Sequence, residues 1–424
     1  MTRNNWLYAW GLGSIAAGGA SLLVPLYVVA LGAGPSALGV LSAVAASAGA
    51  FGGYVWGRLA DRTGRWRSLG SVALAGIVLA LVGVAVSPGL PGIVLANGLL
   101  WFAFSAAMPV FTMLTLHDAS AGEQSRRIAR LNRVQGYGWA GGLALGTVWT
   151  VAVDELLALS SLASQRAFLW LCVVVGTVGV VGAVRWLPGE AHDPDTVEMD
   201  RTFEPPVATT QVPFLPVRLF RRLQRISPQQ FTDRFTPALA RYFLALALFF
   251  AGFGVFFAPV PAYLESVGYA SEHIFLFFLL SALGSAVAYT ASGDMVDRYD
   301  VPVLQSGALG VRAAALPAVA LVHLGAFPLQ FVVVAALFAV IGLSWAVIVT
   351  AAVNHITDLT PEAIRGEALG VYTALSALAG GVGSLLGGYL AGTVGYVVAF
   401  ALACAVVLTS TGVILWPKRT RVTG

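Results

Sequence analysis

One charged residue of this sequence lies deep within an apolar run. Arg312 falls about ten residues into an apolar run, where a guanidinium costs ~2.5–3.5 kcal/mol. Charges at such depth usually face the protein interior and are functional. Arg312 is therefore a candidate to attract an anionic group or to relay a conformational change. The structural alternative is that it snorkels or pairs with a backbone carbonyl.

Acidic residues are missing from the same environment. No Asp or Glu lies near the middle of a long apolar run, and Glu265 lies near the end of one. Side-chain amides do fall in or near the apolar runs, among them Asn97, Asn132, Gln135 and Asn354. An amide in hydrocarbon is costly without a partner, so these residues are better binding candidates than any single aromatic ring.

The composition explains why such residues are rare. Of 424 residues, 58% are hydrophobic and 10% charged, against about 25% charged in soluble chains. This excludes a cytosolic enzyme, a nucleic-acid binder and a disordered scaffold. The two cysteines lie in apolar runs, so neither a disulfide framework nor a metal site is expected. We find no catalytic motif or P-loop, and we predict a protein that is not an enzyme and has no cofactor.

Twelve apolar runs are long enough to cross a bilayer, which takes ~20 helical residues. Helices are expected because lipid offers no partner to a free backbone N–H or C=O. With the N-terminus inside, 22 of the 24 basic residues fall on the inner side. The sequence therefore predicts an all-α membrane protein with twelve transmembrane helices, in the plasma membrane, with both termini cytoplasmic.

The chain divides into two similar halves around one polar stretch. Residues 188–238 begin acidic and end basic, and separate a bundle over 1–187 from a bundle over 239–424. The basic end is either an interfacial helix on the inner leaflet or a solvated linker. A shift of 236 aligns seven identities, among them Gly18 with Gly254, Gly32 with Gly268 and Asp61 with Asp297. Six spans per half give both halves the same orientation, as in transporters built from parallel repeats.

The loop after the second run carries a motif. It contains Gly57, Asp61, Arg62, Gly64 and Arg65 within the segment Gly-Arg-Leu-Ala-Asp-Arg-Thr-Gly-Arg. This segment resembles the inner-loop signature of the major facilitator superfamily (MFS), Gly-x-x-x-Asp-Arg-x-Gly-Arg. A weaker copy follows the eighth run, with Gly293, Asp297 and Arg298. The resemblance covers the whole chain and implies the MFS fold of two pseudo-symmetric six-helix bundles.

The resemblance implies a role for these charges. In the family the matching Asp faces the start of span eleven, where the helix dipole is positive. The matching Arg pairs with an acid at the inner end of span four, which makes Arg65 and Asp118 candidate partners here. Such contacts would form a conformational latch of the two halves. The alternative is that the charges only set topology.

The resemblance also implies which residues line a cavity, because spans one, four, seven and ten line it in the family. The substrate-binding candidates are Tyr27, Asn97, Trp101, Gln135, Trp139, Tyr263, Trp345, Asn354 and Arg312. Glu265 is the acid on these spans, and is either a proton-coupling site or a charge at the outer rim. Arg312 falls on span nine, a supporting helix in the family.

Several functions are compatible with these features. A secondary transporter that moves a small solute by alternating access is the first, and an aromatic cavity favours export of hydrophobic or amphipathic compounds. Uptake of a sugar or other small metabolite by the same fold is the alternative, and a non-transporting membrane sensor is a third. The drug-antiporter signature on span five is incomplete, since its glycines are present over 136–146 without the proline. The expected partners are a small-molecule solute and the lipid bilayer, with no nucleic acid, and the protein is expected to be a monomer.

The latch gives a first prediction. Asp61→Asn removes the anion from the inner loop, so it is expected to favour the inward-open state and to reduce transport while leaving membrane insertion intact. Transport rates in liposomes test this, and rates equal to those of the unmodified protein would contradict the latch.

Overall fold

The structure is a computed structural model that describes residues 5–116, 121–157, 160–188, 235–324, 329–361 and 364–416. Within helices, the side chains at 61, 62, 121, 122, 125 and 153–157 are not part of this description. Most of the predicted linker, including its proposed interfacial helix, lies outside these ranges, as does Asp118.

The described residues form helices joined by short turns, with no strand among them. The thirteen described helices are α1 (Trp6–Ala30), α2 (Pro35–Thr63), α3 (Trp66–Val86), α4 (Leu90–Leu116), α5 (Ala121–Leu157), α6 (Ser161–Trp186), α7 (Pro237–Phe257), α8 (Val260–Ser266), α9 (Ser271–Arg298), α10 (Val301–Leu321), α11 (Gln330–Leu359), α12 (Arg365–Thr393) and α13 (Tyr396–Leu415). The prediction of an all-α protein is confirmed.

Eleven of the described spans are long and apolar enough to cross a membrane, with α7 and α8 counted as one span over Pro237–Ser266. The remaining predicted span lies in α5, which has 37 residues but a polar, basic first part and many glycines. Its length exceeds what a bilayer requires. With α5 the helices account for the twelve predicted spans.

The predicted seventh span is interrupted. Its α7 segment ends at Phe257 and α8 begins at Val260, with Ala258 and Pro259 between them. Pro259 and Pro261 both lack a backbone N–H, so the regular helical hydrogen bonds fail at this point. The corresponding first span has one proline in this region, Pro25, and α1 continues through it without a break.

The described chain forms two compact units. The described residues of unit 1 fall within 1–33, 44–217 and 268–276, and those of unit 2 within 34–43, 218–267 and 277–424. In unit 1, α1 packs on α5 and α6, and α3 packs on α4 and α6. In unit 2, α7 packs on α12 and α13, and α10 packs on α11 and α13. Each pair in unit 2 repeats a pair of unit 1 six spans later, as expected for two copies of one bundle.

The repeat extends to the backbone. Gly32 and Gly268, which the shift of 236 aligns, have φ values of 84° and 93°. Such angles are accessible to glycine without strain. In both copies a tyrosine carbonyl accepts a backbone hydrogen bond in the turn before this glycine. The acceptors are the carbonyls of Tyr27 and Tyr263, and both distances are 3.1 Å.

Glycines allow the central helix pair of each unit to approach closely. A Cβ on Gly142 of α5 would collide with the backbone of Ile15 and Gly19 on α1. In unit 2, a Cβ on Gly254 of α7 would collide with the backbone of Gly380 and Ser384 on α12. Small residues with this effect are typical of helix pairs in membranes, where packing replaces the hydrophobic effect. Gly142 therefore lets the backbones of α1 and α5 come into contact.

This packing predicts a contrast between two glycines of one helix. Gly142→Ala forces α1 and α5 apart and is expected to lower the melting temperature of the purified protein, at a cost of about 1–3 kcal/mol. Gly136 is the matched control, because a Cβ there meets nothing within 4 Å. Gly136→Ala is expected to leave the melting temperature unchanged or to raise it, since alanine is the better helix former. Equal losses at both positions would contradict the packing account.

Candidate functional site

Unit 1 contains an aromatic cluster built from α1, α4 and α5. Trp10 is fully buried and contacts Phe104 and Phe111, with ring centroids 5.4 and 5.1 Å apart. Trp139 lies 5.9 Å from Trp101 and 5.5 Å from Phe104, and both tryptophans are partly exposed. The structure therefore brings together two predicted substrate-binding residues, Trp101 and Trp139.

The amide candidates of unit 1 flank this cluster. Asn97 precedes Trp101 by one turn of α4 and is buried, with 4% exposure. Gln135 precedes Trp139 by one turn of α5 and is partly exposed. Residues four apart share one face of a helix, so each amide lies on the same face as its tryptophan.

Tyr27 has a different environment from the other candidates of unit 1. It is fully buried near the end of α1, and its hydroxyl oxygen accepts a hydrogen bond from Arg166 Nε at 2.8 Å. The Arg166 guanidinium also lies 5.9 Å from the tyrosine ring centroid. This favours a role for Tyr27 in joining α1 to α6.

Arg312 of α10 lies inside unit 2. Its side chain is 1% exposed, and Nη1 donates to the Ile341 carbonyl at 3.0 Å and to Ser344 Oγ at 3.4 Å. Arg312 Nε is buried and has no hydrogen-bond partner among the described residues. Within the same residues no carboxylate lies at ion-pair distance from it. Arg312 therefore does not snorkel, and backbone and hydroxyl oxygens serve it in place of a counter-ion.

Four aromatic rings surround this guanidinium. Its Cζ lies between 5.1 and 5.9 Å from the ring centroids of Phe249, Phe253, Phe257 and Trp345. Each distance is within the range of a cation–π contact. Phe253, Phe257 and Trp345 are partly exposed, whereas Arg312 is not. We call these four rings with Arg312 the Arg312 ring cluster.

The remaining candidates of unit 2 lie elsewhere. The Tyr263 hydroxyl is 2.9 Å from His323 Nδ1, and its ring packs on Tyr396 and Phe400, so its environment is that of a packing residue. Asn354 is partly exposed, and its Nδ2 donates to the Thr350 carbonyl one turn earlier. Glu265 is exposed at the end of α8.

The predicted latch is described only in part. Gly57 is buried in α2, and Gly64 has a φ of 61° in the turn that leads into α3. Arg65 is exposed, whereas the Asp61 and Arg62 side chains and all of Asp118 lie outside the described residues. In the second copy Asp297 and Arg298 are exposed, and Gly293 has open space beside it. The latch therefore stays a prediction.

Sequence reasoning missed part of the Arg312 ring cluster. Phe249 and Phe257 flank Phe253 at a spacing of four, which puts three rings on one face of α7. This spacing is visible in the sequence, but only the fold shows that the face is turned toward Arg312. A second missed feature is a buried hydrogen bond of 2.7 Å from the Tyr242 hydroxyl to Gln305 Oε1.

Comparison with known proteins is consistent with this geometry. The sequence matches the MFS_1 like family over residues 18–402. The chain belongs to the MFS_1 like family. No curated protein sequence matches the chain. Membership shows a non-enzymatic, multi-pass membrane transporter of small solutes, and it confirms the resemblance drawn from the inner-loop motif.

Solved structures share the fold of this MFS_1 like protein. A crystal structure of the nucleoside transporter NupG superimposes with a TM-score of 0.73 at 13% identity, covering 97% of this chain and 98% of that one. A D-xylose-proton symporter gives 0.71 at 12% identity, covering 98% of each chain. A bacterial homolog of the human lysosomal transporter Spinster, inward-facing and unoccupied, gives 0.66 at 13% identity, covering 97% and 93%. Identities this low establish the fold alone, and they confirm the MFS architecture.

The Arg312 ring cluster predicts an unusual stability result. Arg312→Met replaces an uncompensated buried charge by an apolar chain of similar length, a change that is often neutral or stabilising. We expect the melting temperature of the purified variant to equal or exceed that of the unmodified protein. A control is Phe338→Ala, which removes a fully buried ring of α11 and is expected to cost about 3–5 kcal/mol. A comparable loss for Arg312→Met would assign the arginine a structural role.

Proposed function

We propose that this transporter is secondary active, works by alternating access and exports a hydrophobic or amphipathic compound. The observation that supports this most directly is the partly exposed aromatic surface of Trp345, Phe253 and Phe257. In the family, spans seven and ten line the cavity, and these three residues lie on those spans. The proposed solute packs its apolar part on this surface.

Aromatic surfaces suit such solutes on physical grounds. Large rings supply much apolar contact area and prefer offset or edge-on ring partners at centroid distances of about 4.5–7 Å. Trp345 already makes such contacts with Phe253 at 5.1 Å and Phe249 at 6.1 Å. In unit 1, Trp101 and Trp139 offer a second pair of partly exposed rings. An aromatic or amphipathic solute gains contact area at either pair.

Uptake of a sugar or another small metabolite is the second candidate function. Two structural neighbours are described as a nucleoside transporter and a D-xylose-proton symporter. Tryptophan faces also stack on nucleobases and on the apolar faces of sugars, and Asn97 and Gln135 beside them would suit hydroxyl groups. Direct transport assays with both solute classes separate this function from export.

The other elements of the proposal concern placement and coupling. We place both termini in the cytoplasm on the strength of the positive-inside pattern. A location in the plasma membrane and a monomeric state are proposed from the resemblance to the MFS, whose members mostly work as monomers. The predicted bundles over 1–187 and 239–424 are the halves that rock, and the inner-loop residues of the two copies are the latch. Glu265 stays the candidate for proton coupling.

Transport assays on one tryptophan test the proposal. Trp345→Ala removes the largest partly exposed ring of the Arg312 ring cluster, so we expect at least about tenfold slower transport of a fluorescent aromatic solute in proteoliposomes. The measurement compares solute flux in both directions, with and without an imposed proton gradient. It also includes xylose and a nucleoside as solutes.

The matched control is another tryptophan. Trp170→Ala removes a ring of α6 that is exposed and has no ring partner among the described residues. We expect its flux to stay within about twofold of the unmodified protein. Equal losses in the two variants, or full activity of Trp345→Ala with every solute, would contradict the proposed site.

A further inference from the structure

The charge of Arg312 has no counter-ion in its surroundings. Both α7 and α10 lack acidic residues, and the single acid of α11 is Asp358, roughly three and a half turns beyond Trp345. The contacts of Arg312 are one carbonyl, one hydroxyl and four rings, all of them neutral. Unit 2 therefore holds a full positive charge at this position that no described group neutralises.

Three of the rings that contact the Arg312 guanidinium are partly exposed, namely Phe253, Phe257 and Trp345. A cation on one face of an aromatic ring attracts the electron density of the ring toward itself. The opposite faces of Trp345, Phe253 and Phe257 then attract a second cation less than isolated rings would. Because the surroundings are apolar, the field of the guanidinium is weakly screened across these few ångströms. The exposed parts of Phe253, Phe257 and Trp345 therefore lie in the positive field of the guanidinium.

The Nε–H donor of the Arg312 guanidinium is also unused within the described part of the chain. Arg312 Nε is buried without a hydrogen-bond partner among the described residues. A buried unsatisfied donor on a charged group is costly and usually has a functional explanation. An anionic oxygen near the cluster would lower that cost, whereas a cationic group would raise it.

We propose that Arg312 sets the charge preference of the transported solute. The ring surface accepts aromatic or amphipathic compounds that bear a negative charge, accepts neutral ones more weakly and rejects cations. This rests on the proposed function, because it assigns the solute class of the same ring surface. It differs from a packing role for Arg312, which would produce no preference for charge.

A set of three indole probes measures the preference directly. Indole-3-acetate, indole-3-acetamide and tryptamine share one ring and are anionic, neutral and cationic at neutral pH. Dissociation constants are measured by calorimetry with the full chain in an uncharged detergent. We expect indole-3-acetate to bind at least about tenfold more tightly than tryptamine, with the amide between them. Weak dependence of this ratio on salt is also expected, because buried charges are screened little.

Variants locate the source of the preference. Arg312→Gln keeps a donor but removes the charge, and should bring the three dissociation constants to within about threefold of one another. Arg312→Lys keeps the charge and should retain the order. Arg127→Gln is the control for the overall charge, because it removes a partly exposed arginine of unit 1 that is paired with Glu123. It should leave the ratio unchanged, whereas Trp345→Ala should weaken all three probes.

The outcomes separate this inference from the proposed function. Equal affinities in the unmodified protein, tighter binding of tryptamine, absence of binding by all three probes, or a preference that persists in Arg312→Gln would each overturn the charge assignment. If Arg312→Gln does not fold, Arg312→Met removes the same charge and takes its place, with the same expected loss of preference. Loss of solute flux in Trp345→Ala would leave the proposed transport site standing in any of these cases.

Discussion

Lipid offers no hydrogen-bond partner to the backbone, and this constraint determines most features of the fold. Every backbone polar group must be satisfied within the chain, so the spans are helices and the turns between them are short. Water does not drive these helices together, so they associate by contact between surfaces. That is why the closest approaches occur where glycines such as Gly142 and Gly254 leave room for a neighbouring backbone.

The same constraint makes a buried charge expensive, and the protein keeps one in spite of the cost. Arg312 is held by a carbonyl, a hydroxyl and four rings, none of which carries a compensating charge. The cost in stability of keeping this charge agrees with the proposed role of Arg312 in the preference for a solute.

The two units share one arrangement of packed helices but differ in detail. The tyrosine and glycine that close the first span recur 236 positions later with the same backbone geometry. The seventh span, however, carries an extra proline and breaks into α7 and α8, and Arg312 has no counterpart in the third span, where the shift of 236 places Gly76. The proposed charge preference would therefore depend on a residue that only the second copy has.

The sequence by itself determined the helical class, the twelve spans, the repeat and the family. The first three follow from composition, run length and identities at a constant offset, and the family follows from the resemblance of the inner-loop motif. The sequence also marked Arg312 and Trp345 as unusual residues of their spans. It did not show that they touch, because they lie on different helices and their meeting depends on helix rotation and depth.

Only the tertiary structure decided which candidates share a site. It placed Trp101 beside Trp139 and the face of Phe249, Phe253 and Phe257 against Arg312. It placed Tyr27 against Arg166 and Tyr263 against His323, in environments better suited to packing than to binding. The physical reason is that the sequence of a helix contains the residues of all its faces and does not show which face is turned inward. The contacts with neighbouring helices determine that face.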